Sequence, residues 1–202
     1  MPFDNAIGNV MGPVSYYGSF AWVYGIKDDL WNAATDSYVR NFNELKKPHL
    51  ITLIDYSIPS NKPRLWTLNF NSPIPQLMFH TIVAHGKGSG RGKTVDRVSK
   101  KRGSNESTVG GFVTKHIYQS KLGQKDKTKK RPAMVIEGLD PSNDNARNRG
   151  IRVHGAHYVT KTRAGTSHGC ICCRQEVHEA LINVIHGGSF IFSYYDQKSL
   201  NP

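Results

Sequence analysis

The regular pattern of the chain begins with one amphipathic stretch. In residues 28–45 the apolar side chains recur at three- and four-residue steps, two aspartates stand at the start, and Lys46, Lys47 and Pro48 follow the end. Acidic residues favour the positive end of a helix dipole, and a proline does not continue a helix. The spacing therefore predicts a helix over residues 28–45.

From residue 50 onward the pattern is typical of strands. Short runs rich in β-branched, aromatic and other apolar residues alternate with turns built from Pro, Gly, Asn and Ser. We predict strands over residues 50–57, 64–70, 76–86, 110–118, 133–138, 151–159 and 189–195. A second helix is predicted between the last two strands, because "RQEVHEALINVIHGG" carries an apolar stripe and ends on two glycines.

These elements predict a β-dominated domain with few helices. We expect the domain to span residues 46–196, with residues 1–45 as a partly helical N-terminal extension and residues 197–202 as a tail. No apolar run reaches the roughly 18 residues of a membrane-spanning helix, so no membrane span is expected. The amino terminus lacks the basic start of a signal peptide, since its first basic residue is Lys27.

Two segments carry the whole net charge of the protein. Residues 87–102 (the first basic segment) and 115–131 (the second basic segment) each hold seven Lys or Arg and one Asp, and together they account for the net charge of +12. Such clustering predicts an anionic partner, although two solvated loops would give the same pattern. No RNA- or DNA-binding signature accompanies the segments, so nucleic acid is not expected as a partner.

All three cysteines lie within positions 170–173, directly after a Ser-His-Gly. Three interpretations compete: a nucleophile beside its base, a metal site, and a buried turn that is rich in thiols. A thiol nucleophile needs a neighbouring imidazole or helix N-terminus to favour its thiolate. Cys170 precedes the second predicted helix, and His154 near the end of the preceding strand would supply the imidazole.

The metal interpretation would use His168, Cys170, Cys172 and Cys173 as donors. Tetrahedral zinc sites normally draw pairs of ligands from two separated segments, whereas these donors are crowded into one short loop. The sequence therefore predicts no metal site, and it predicts no other cofactor.

The segment "IRVHGAHYVTKTRAGTSHGCI" resembles the catalytic segment of the L,D-transpeptidases, in which a histidine and a loop precede Ser/Thr-His-Gly-Cys. The resemblance, to the murein branch of that family, extends through "LITLIDYSIPSNKPRLWTLNF", "VAHGKGSG", "GSNESTVGGFVT" and "GGSFIFSYY" over residues 45–196. It implies an L,D-transpeptidase-type catalytic β-sandwich. It also implies a periplasmic or envelope location, with a specialised secretion route as the alternative because no signal peptide is visible.

The resemblance implies a role for the central residues of the motif. Cys170 would form a thioester with the third residue of a peptidoglycan stem peptide, and His154 would accept and return the protons. The carbonyl of Gly155 would orient this base. Backbone amides of Gly169 and Cys170 would form the oxyanion hole.

Further side chains would support the motif. His168 would shape the turn before the nucleophile, and Ser167 would brace it. The candidates for contact with the substrate are Arg152, Arg163 and His85. Ordinary solvated charge for the two arginines and a structural hydrogen bond for His85 would explain these residues equally well.

Two features depart from the family pattern. The loop between His154 and Ser167 is slightly shorter than in many relatives. Cys172 replaces the usual Arg or Asn two positions after Cys170, and Cys173 follows it. The replacement removes polar support at that position and introduces thiols that could exchange with the nucleophile.

The implied activity is that of a cysteine acyltransferase that forms 3→3 crosslinks in peptidoglycan or exchanges the terminal D-amino acid. With water as acceptor, the same site would be an L,D-carboxypeptidase, which would suit a secreted antibacterial effector. A non-catalytic module that binds the cell wall or another polyanion would keep the fold without the chemistry. The expected partners are peptidoglycan stem peptides and anionic wall polymers, and the oligomeric state stays open.

Overall fold

The structure, a computed structural model, describes residues 20–196. Residues 20–23 are helical, helix α1 spans Asp28–Arg40, a 3-10 helix spans Phe42–Glu44, and helix α2 spans Gln175–Ile185. The helix predicted over residues 28–45 is confirmed as far as Arg40. It then gives way to the tighter 3-10 turn, because the backbone of Asn41 leaves helical geometry. The predicted tail and the first nineteen residues of the predicted extension lie outside the described residues.

The prediction of a β-dominated domain is confirmed. The strands are β1 Leu50–Asp55, β2 Leu65–Asn69, β3 Gln76–Thr81, β4 Val83–Gly86, β5 Gly110–Ser120, β6 Arg131–Gly138, β7 Arg152–Gly155, β8 Thr166–Ser167, β9 Ile171–Cys173 and β10 Phe190–Tyr194. They form one sheet in the order β3-β2-β1-β10-β5-β6-β7-β9-β4-β8. The hydrophobic pattern did not predict β8 and β9, because both are too short to show a period.

One stretch of chain closes this sheet. The single strand predicted over residues 76–86 is two strands separated by Ile82. β3 pairs with β2 at one edge of the sheet, while β4 pairs with β9 and β8 at the other. Because one residue joins strands near opposite edges, the sheet has to curl until those edges meet.

The curled sheet has an inner and an outer face. The inner face encloses the main core together with α2, whose Leu181 and Ile185 are almost fully buried. Helix α1 covers the outer face of β1, β2 and β10, where Leu30 and Trp31 pack in one cluster with Trp66 of β2. The N-terminal helix is therefore packed on the sheet, and the boundary placed after residue 45 stays a prediction.

A buried arginine ties the joined edges together. Arg64, which is 0% exposed, donates to the carbonyl oxygen of Val83 from Nε (3.0 Å) and Nη2 (2.8 Å), and to that of Ile58 from Nη1 (2.8 Å). Its Nη2 also lies 3.0 Å from Nδ1 of His85. A guanidinium only donates, so Nδ1 accepts and His85 is a neutral ring protonated on Nε2. Burial, with a contribution from Arg64, lowers the pKa of His85 to about 4.

This arrangement predicts a loss of stability in acid. Between pH 6.5 and pH 4 the unfolded chain binds a proton on His85 that the folded protein excludes, so the free energy of unfolding falls as the pH falls. His85→Gln can still accept from Arg64 but does not titrate. We expect this variant to be less stable at pH 7 but to lose less stability in acid, by on the order of 1 kcal/mol. Urea denaturation at pH 7 and pH 4.5 measures both losses, and equal losses would contradict the assignment.

Candidate active site

The thiols of Cys170 and Cys172 lie on the outer face of the sheet. β7 and β9 run parallel, with Val153 opposite Ile171 and His154 opposite Cys172. Val153 and Ile171 belong to the enclosed core, so His154 and Cys172 point to the other side, since successive side chains alternate between faces. Cys170, two positions before Cys172, packs with it in the same outer cluster. The fold thus brings both thiols and the imidazole to one face.

The segment between β7 and β8 covers these thiols. Ala156, Val159 and Ala164 pack in one cluster with Cys170 and Cys172. Beneath this cover Cys170 is 8% exposed and Cys172 is 0% exposed. Cys170 is therefore the more accessible of the two.

The imidazole of His154 is held in one tautomer. Its Nδ1 lies 3.0 Å from the carbonyl oxygen of Gly155. A carbonyl only accepts hydrogen bonds, so Nδ1 carries the hydrogen and Nε2 carries the lone pair. Burial lowers the pKa of His154, which favours this neutral form. The contact is the one that the family resemblance implies for Gly155.

Two glycines allow the backbone to approach the base closely. A Cβ on Gly155 would collide with the ring of His178 on α2, and a Cβ on Gly123 would collide with the carbonyl oxygen of Gly155. Gly123 also has a φ of +67°, which side chains other than glycine rarely adopt. The sequence pattern did not single out Gly123, because its partner lies 32 positions further along the chain.

Cys172, rather than Cys170, contacts the base. Its Sγ lies 3.2 Å from Nε2 of His154 and 3.4 Å from Oη of Tyr158. The Sγ of Cys170 instead lies 3.6 Å from the carbonyl oxygen of Gly150. In the part of the chain that the structure describes, no hydrogen bond joins the side chains of Cys170 and His154. The resemblance implied the pair Cys170 and His154, whereas the structure has the pair Cys172 and His154.

Burial raises the pKa of both thiols. For Cys170 the backbone and charge of Arg152, and then the charge of Arg149, oppose this effect. For Cys172 the pKa is raised well above its usual value by burial and further by Cys170. Both thiols are therefore protonated at neutral pH, and Cys170 is the one beside positive charge.

Arg149 is a positive group near the site that the sequence did not single out. Its Nη1 donates to the carbonyl oxygen of Ser99 (2.7 Å), and its Nη2 donates to that of Glu106 (2.8 Å). These bonds hold the guanidinium beside Gly169, where an added Cβ would lie 3.6 Å from Nη2. No sequence pattern marks a loop arginine such as Arg149 as a site residue, because only the folded chain brings its guanidinium to Cys170.

A serine braces the turn before Cys170. Ser167 Oγ donates to the carbonyl oxygen of Cys170 (2.8 Å) and accepts from the amide of Gly169 (3.1 Å). Gly169 has a φ of +108° and packs on the carbonyl of Glu106, so this position requires glycine. Its amide is thus bonded inside the turn, and an oxyanion-hole role would require this amide to change partner. His168 is exposed on the same turn.

Three placements expected from the sequence differ from the structure. Cys170 does not lie at the N-terminus of α2, because β9 separates them. His85 points to the face opposite the thiols, since the adjacent Ala84 shares their cluster. Arg163 is exposed, and its backbone bonds lie within its own loop. Of the three proposed substrate contacts, only Arg152 lies beside Cys170.

The described part of the chain holds no group of three or more His, Cys, Asp or Glu side chains that could bind a metal ion. Cys173 belongs to the enclosed core, on the opposite side of β9 from Cys172. The four donors of the metal interpretation therefore do not converge. None of the described helices has the length and apolar character to cross a membrane.

Residues 24–194 match a protein family described as the L,D-transpeptidase catalytic domain. The match covers most of the chain, including α1 and every strand of the sheet. The protein therefore belongs to this family. Comparison with curated protein sequences gives no match.

Two solved structures are similar to this chain at low sequence identity. An L,D-transpeptidase from Mycobacterium smegmatis is 12% identical, with a TM-score of 0.43 over 72% of this chain and 58% of that one. A variant of the helical cell shape determining protein Pgp2 from Campylobacter jejuni is 15% identical, with a TM-score of 0.50 over 75% of this chain and 49% of that one. This chain thus spans less than two thirds of the length of either protein.

Removal of the serine brace should destabilise the turn. Ser167→Ala deletes the bonds to the carbonyl of Cys170 and the amide of Gly169, so we expect the free energy of unfolding to fall by about 1–2 kcal/mol. Thr166→Ala is the matched control, because Thr166 is exposed and its change should stay within about 0.5 kcal/mol. Urea denaturation measures both variants. Losses of the same size would show that Ser167 does not brace the turn.

Proposed function

We propose that this protein is a cysteine acyltransferase of the L,D-transpeptidase type, which acts on peptidoglycan stem peptides in the bacterial envelope through a thioester on Cys170. The observation that carries the proposal is that Cys170 packs with Cys172, which lies opposite His154 on the same outer face, while the carbonyl of Gly155 fixes the lone pair on Nε2. The greater accessibility of Cys170 and its two neighbouring arginines favour it over Cys172 as the nucleophile. Membership of the family supports the same chemistry.

The reaction would proceed in two steps. In the first, the thiol proton of Cys170 passes to Nε2 of His154, and the sulfur attacks the carbonyl carbon of the third stem residue. The peptide bond breaks, a thioester forms, and the departing D-amino acid takes the proton from the imidazolium. In the second, an amine of another stem peptide attacks the thioester and yields a 3→3 crosslink. Its proton returns through His154 to the sulfur of Cys170.

The choice of acceptor would decide between crosslinking and hydrolysis. Water in place of the amine would release a tripeptide stem and make the protein an L,D-carboxypeptidase. The cover of residues 156–165 leaves Cys170 8% exposed, and exclusion of water favours transfer to a bound amine. We therefore propose transpeptidation or exchange as the main activity.

The two basic segments border the thiol face, which supports an anionic substrate. In the first basic segment the amide of Lys87 donates to the carbonyl oxygen of Ser167 (2.8 Å). In the second, Gly123 packs behind His154, and its carbonyl accepts from the amide of His157 (3.0 Å). Positive charge on both sides of the site would raise the local concentration of carboxylate- and phosphate-bearing ligands. Stem peptides and anionic wall polymers carry these groups.

Incubation with purified tetrapeptide muropeptides tests the proposed reaction. We expect a thioester adduct on Cys170, located by peptide mass spectrometry, together with stoichiometric release of the fourth residue. Crosslinked dimers in the product mixture would indicate transpeptidation, and tripeptides alone would indicate hydrolysis.

Matched variants identify the nucleophile. Cys170→Ala should abolish both adduct and release, whereas Cys173→Ala should retain them, because Cys173 lies in the enclosed core. Absence of any adduct on the folded protein, or full activity of Cys170→Ala, would exclude the proposed mechanism.

Loss of charge in the first basic segment should weaken binding to the cell wall. Lys101→Gln with Arg102→Gln removes two exposed charges, and we expect roughly two- to tenfold weaker binding to purified sacculi at low salt. The difference should shrink at high salt because exposed charges are screened. Lys27→Gln with Lys62→Gln, which removes two exposed charges outside both segments, is the control. Equal effects of the two double variants would rule out a specific role for the segment.

A further inference from the structure

The imidazole of His154 has one nitrogen that can accept a hydrogen bond. The thiol in contact with that nitrogen belongs to Cys172 rather than to the proposed nucleophile, Cys170. Nδ1 of His154 is committed to the carbonyl of Gly155, which leaves Nε2 as the acceptor. Nε2 lies 3.2 Å from Sγ of Cys172. While the lone pair of Nε2 accepts from Cys172, it is not available to the proton of Cys170.

The surroundings of Cys172 support a directed chain of hydrogen bonds. Tyr158 Oη lies 3.4 Å from Sγ of Cys172, and its hydroxyl donates to the sulfur. The sulfur accepts that bond, and its single hydrogen has two acceptors within reach, Nε2 of His154 at 3.2 Å and the carbonyl oxygen of Cys170 at 3.6 Å. Nε2 is the nearer acceptor, so the hydrogen is directed to it. Cys172 is 0% exposed and His154 is 4% exposed, so water does not compete for these partners.

Cys170 lies on the same face as His154, but its sulfur makes no hydrogen bond to the imidazole. It lies one pleat away from Cys172 on the same face, and its Sγ is 3.6 Å from the carbonyl oxygen of Gly150. An S–H bond to a carbonyl keeps the thiol protonated. Cys170 and Cys172 are thus two thiols on one face beside one base.

We propose that Cys172, held by Tyr158, is a positioning residue that keeps the imidazole of His154 engaged in the free protein and withholds it from Cys170. Deprotonation of Cys170 then requires Nε2 to exchange one thiol for the other. This inference rests on the proposed function, in which Cys170 is the nucleophile. It adds that the residue two positions further on sets how reactive that nucleophile is before substrate binds.

Site-resolved alkylation tests this assignment without any peptidoglycan. The rate at which iodoacetamide modifies Cys170 is measured by peptide mass spectrometry from pH 6 to pH 10. In Cys172→Ala the lone pair of Nε2 is free for Cys170, so we expect roughly three- to tenfold faster alkylation at pH 7 and a profile shifted to lower pH. Cys172→Ser keeps a donor for Nε2 and should stay within about twofold of the wild type.

Three controls separate positioning from loosened packing. Cys173→Ala removes a buried thiol on the opposite face of the sheet and should leave the rate unchanged. Tyr158→Phe keeps the ring but removes the hydroxyl bond to Cys172, so we expect a smaller acceleration in the same direction. Addition of His154→Ala to Cys172→Ala should abolish the gain. A gain that persists without His154, or no gain in Cys172→Ala, would overturn the proposal.

A spectroscopic measurement keeps the test valid if Cys172→Ala does not fold. The nitrogen-15 chemical shift of Nε2 in His154 reports its hydrogen-bond partner. We expect Cys172→Ser to move this resonance and Cys170→Ala to leave it in place. A shift with Cys170→Ala as large as that with Cys172→Ser would overturn the assignment. Both readouts are independent of the muropeptide adduct, so failure of the reaction and failure of this inference remain distinguishable.

Discussion

The closure of the sheet at Ile82 is the constraint on which the rest of the structure depends. One residue joins β3 at one edge to β4 near the other, so the sheet curls around α2. Arg64 holds this junction by donating to Val83 in β4 from the residue before β2. A buried guanidinium is costly unless its donors are satisfied, and backbone carbonyls and His85 satisfy them here. The junction places β4 beside β9, and the thiol face is built on those strands.

On that face the strand register decides which side chains meet. β7 and β9 are parallel neighbours, so residues opposite each other share a face and lie close together. His154 is opposite Cys172, and Cys170 is one pleat earlier on the same face. A change of register by one residue would turn the thiols into the enclosed core. The contact between His154 and Cys172 is therefore a property of the whole sheet rather than of the short motif.

The features that the sequence predicted are those determined by a few neighbouring residues. The strand runs, the second helix and the glycine that follows His154 all have a pattern or motif within a few residues. The features that it did not predict arise from contacts between distant segments. β8 and β9 hold two and three residues, which is too few for a period, and they are strands because β4 and β7 pair with them. The contacts of Arg149 and Gly123 with the site also depend on the closed fold. Cys170 was expected at a helix N-terminus, because β9 was not recognised between them.

Burial makes the geometry of the site decisive for its chemistry. The pKa of both outer thiols is raised and that of His154 is lowered, so the free protein holds neutral groups. In such surroundings a thiolate forms only where its proton has an acceptor within hydrogen-bond distance and positive charge lies nearby. Cys172 has the acceptor, whereas Cys170 has the arginines and the greater exposure. The two requirements for a reactive sulfur are thus divided between Cys172 in β9 and Cys170 directly before that strand. A substrate that brings His154 to Cys170 would unite them, which confines the reactive thiolate to the occupied site.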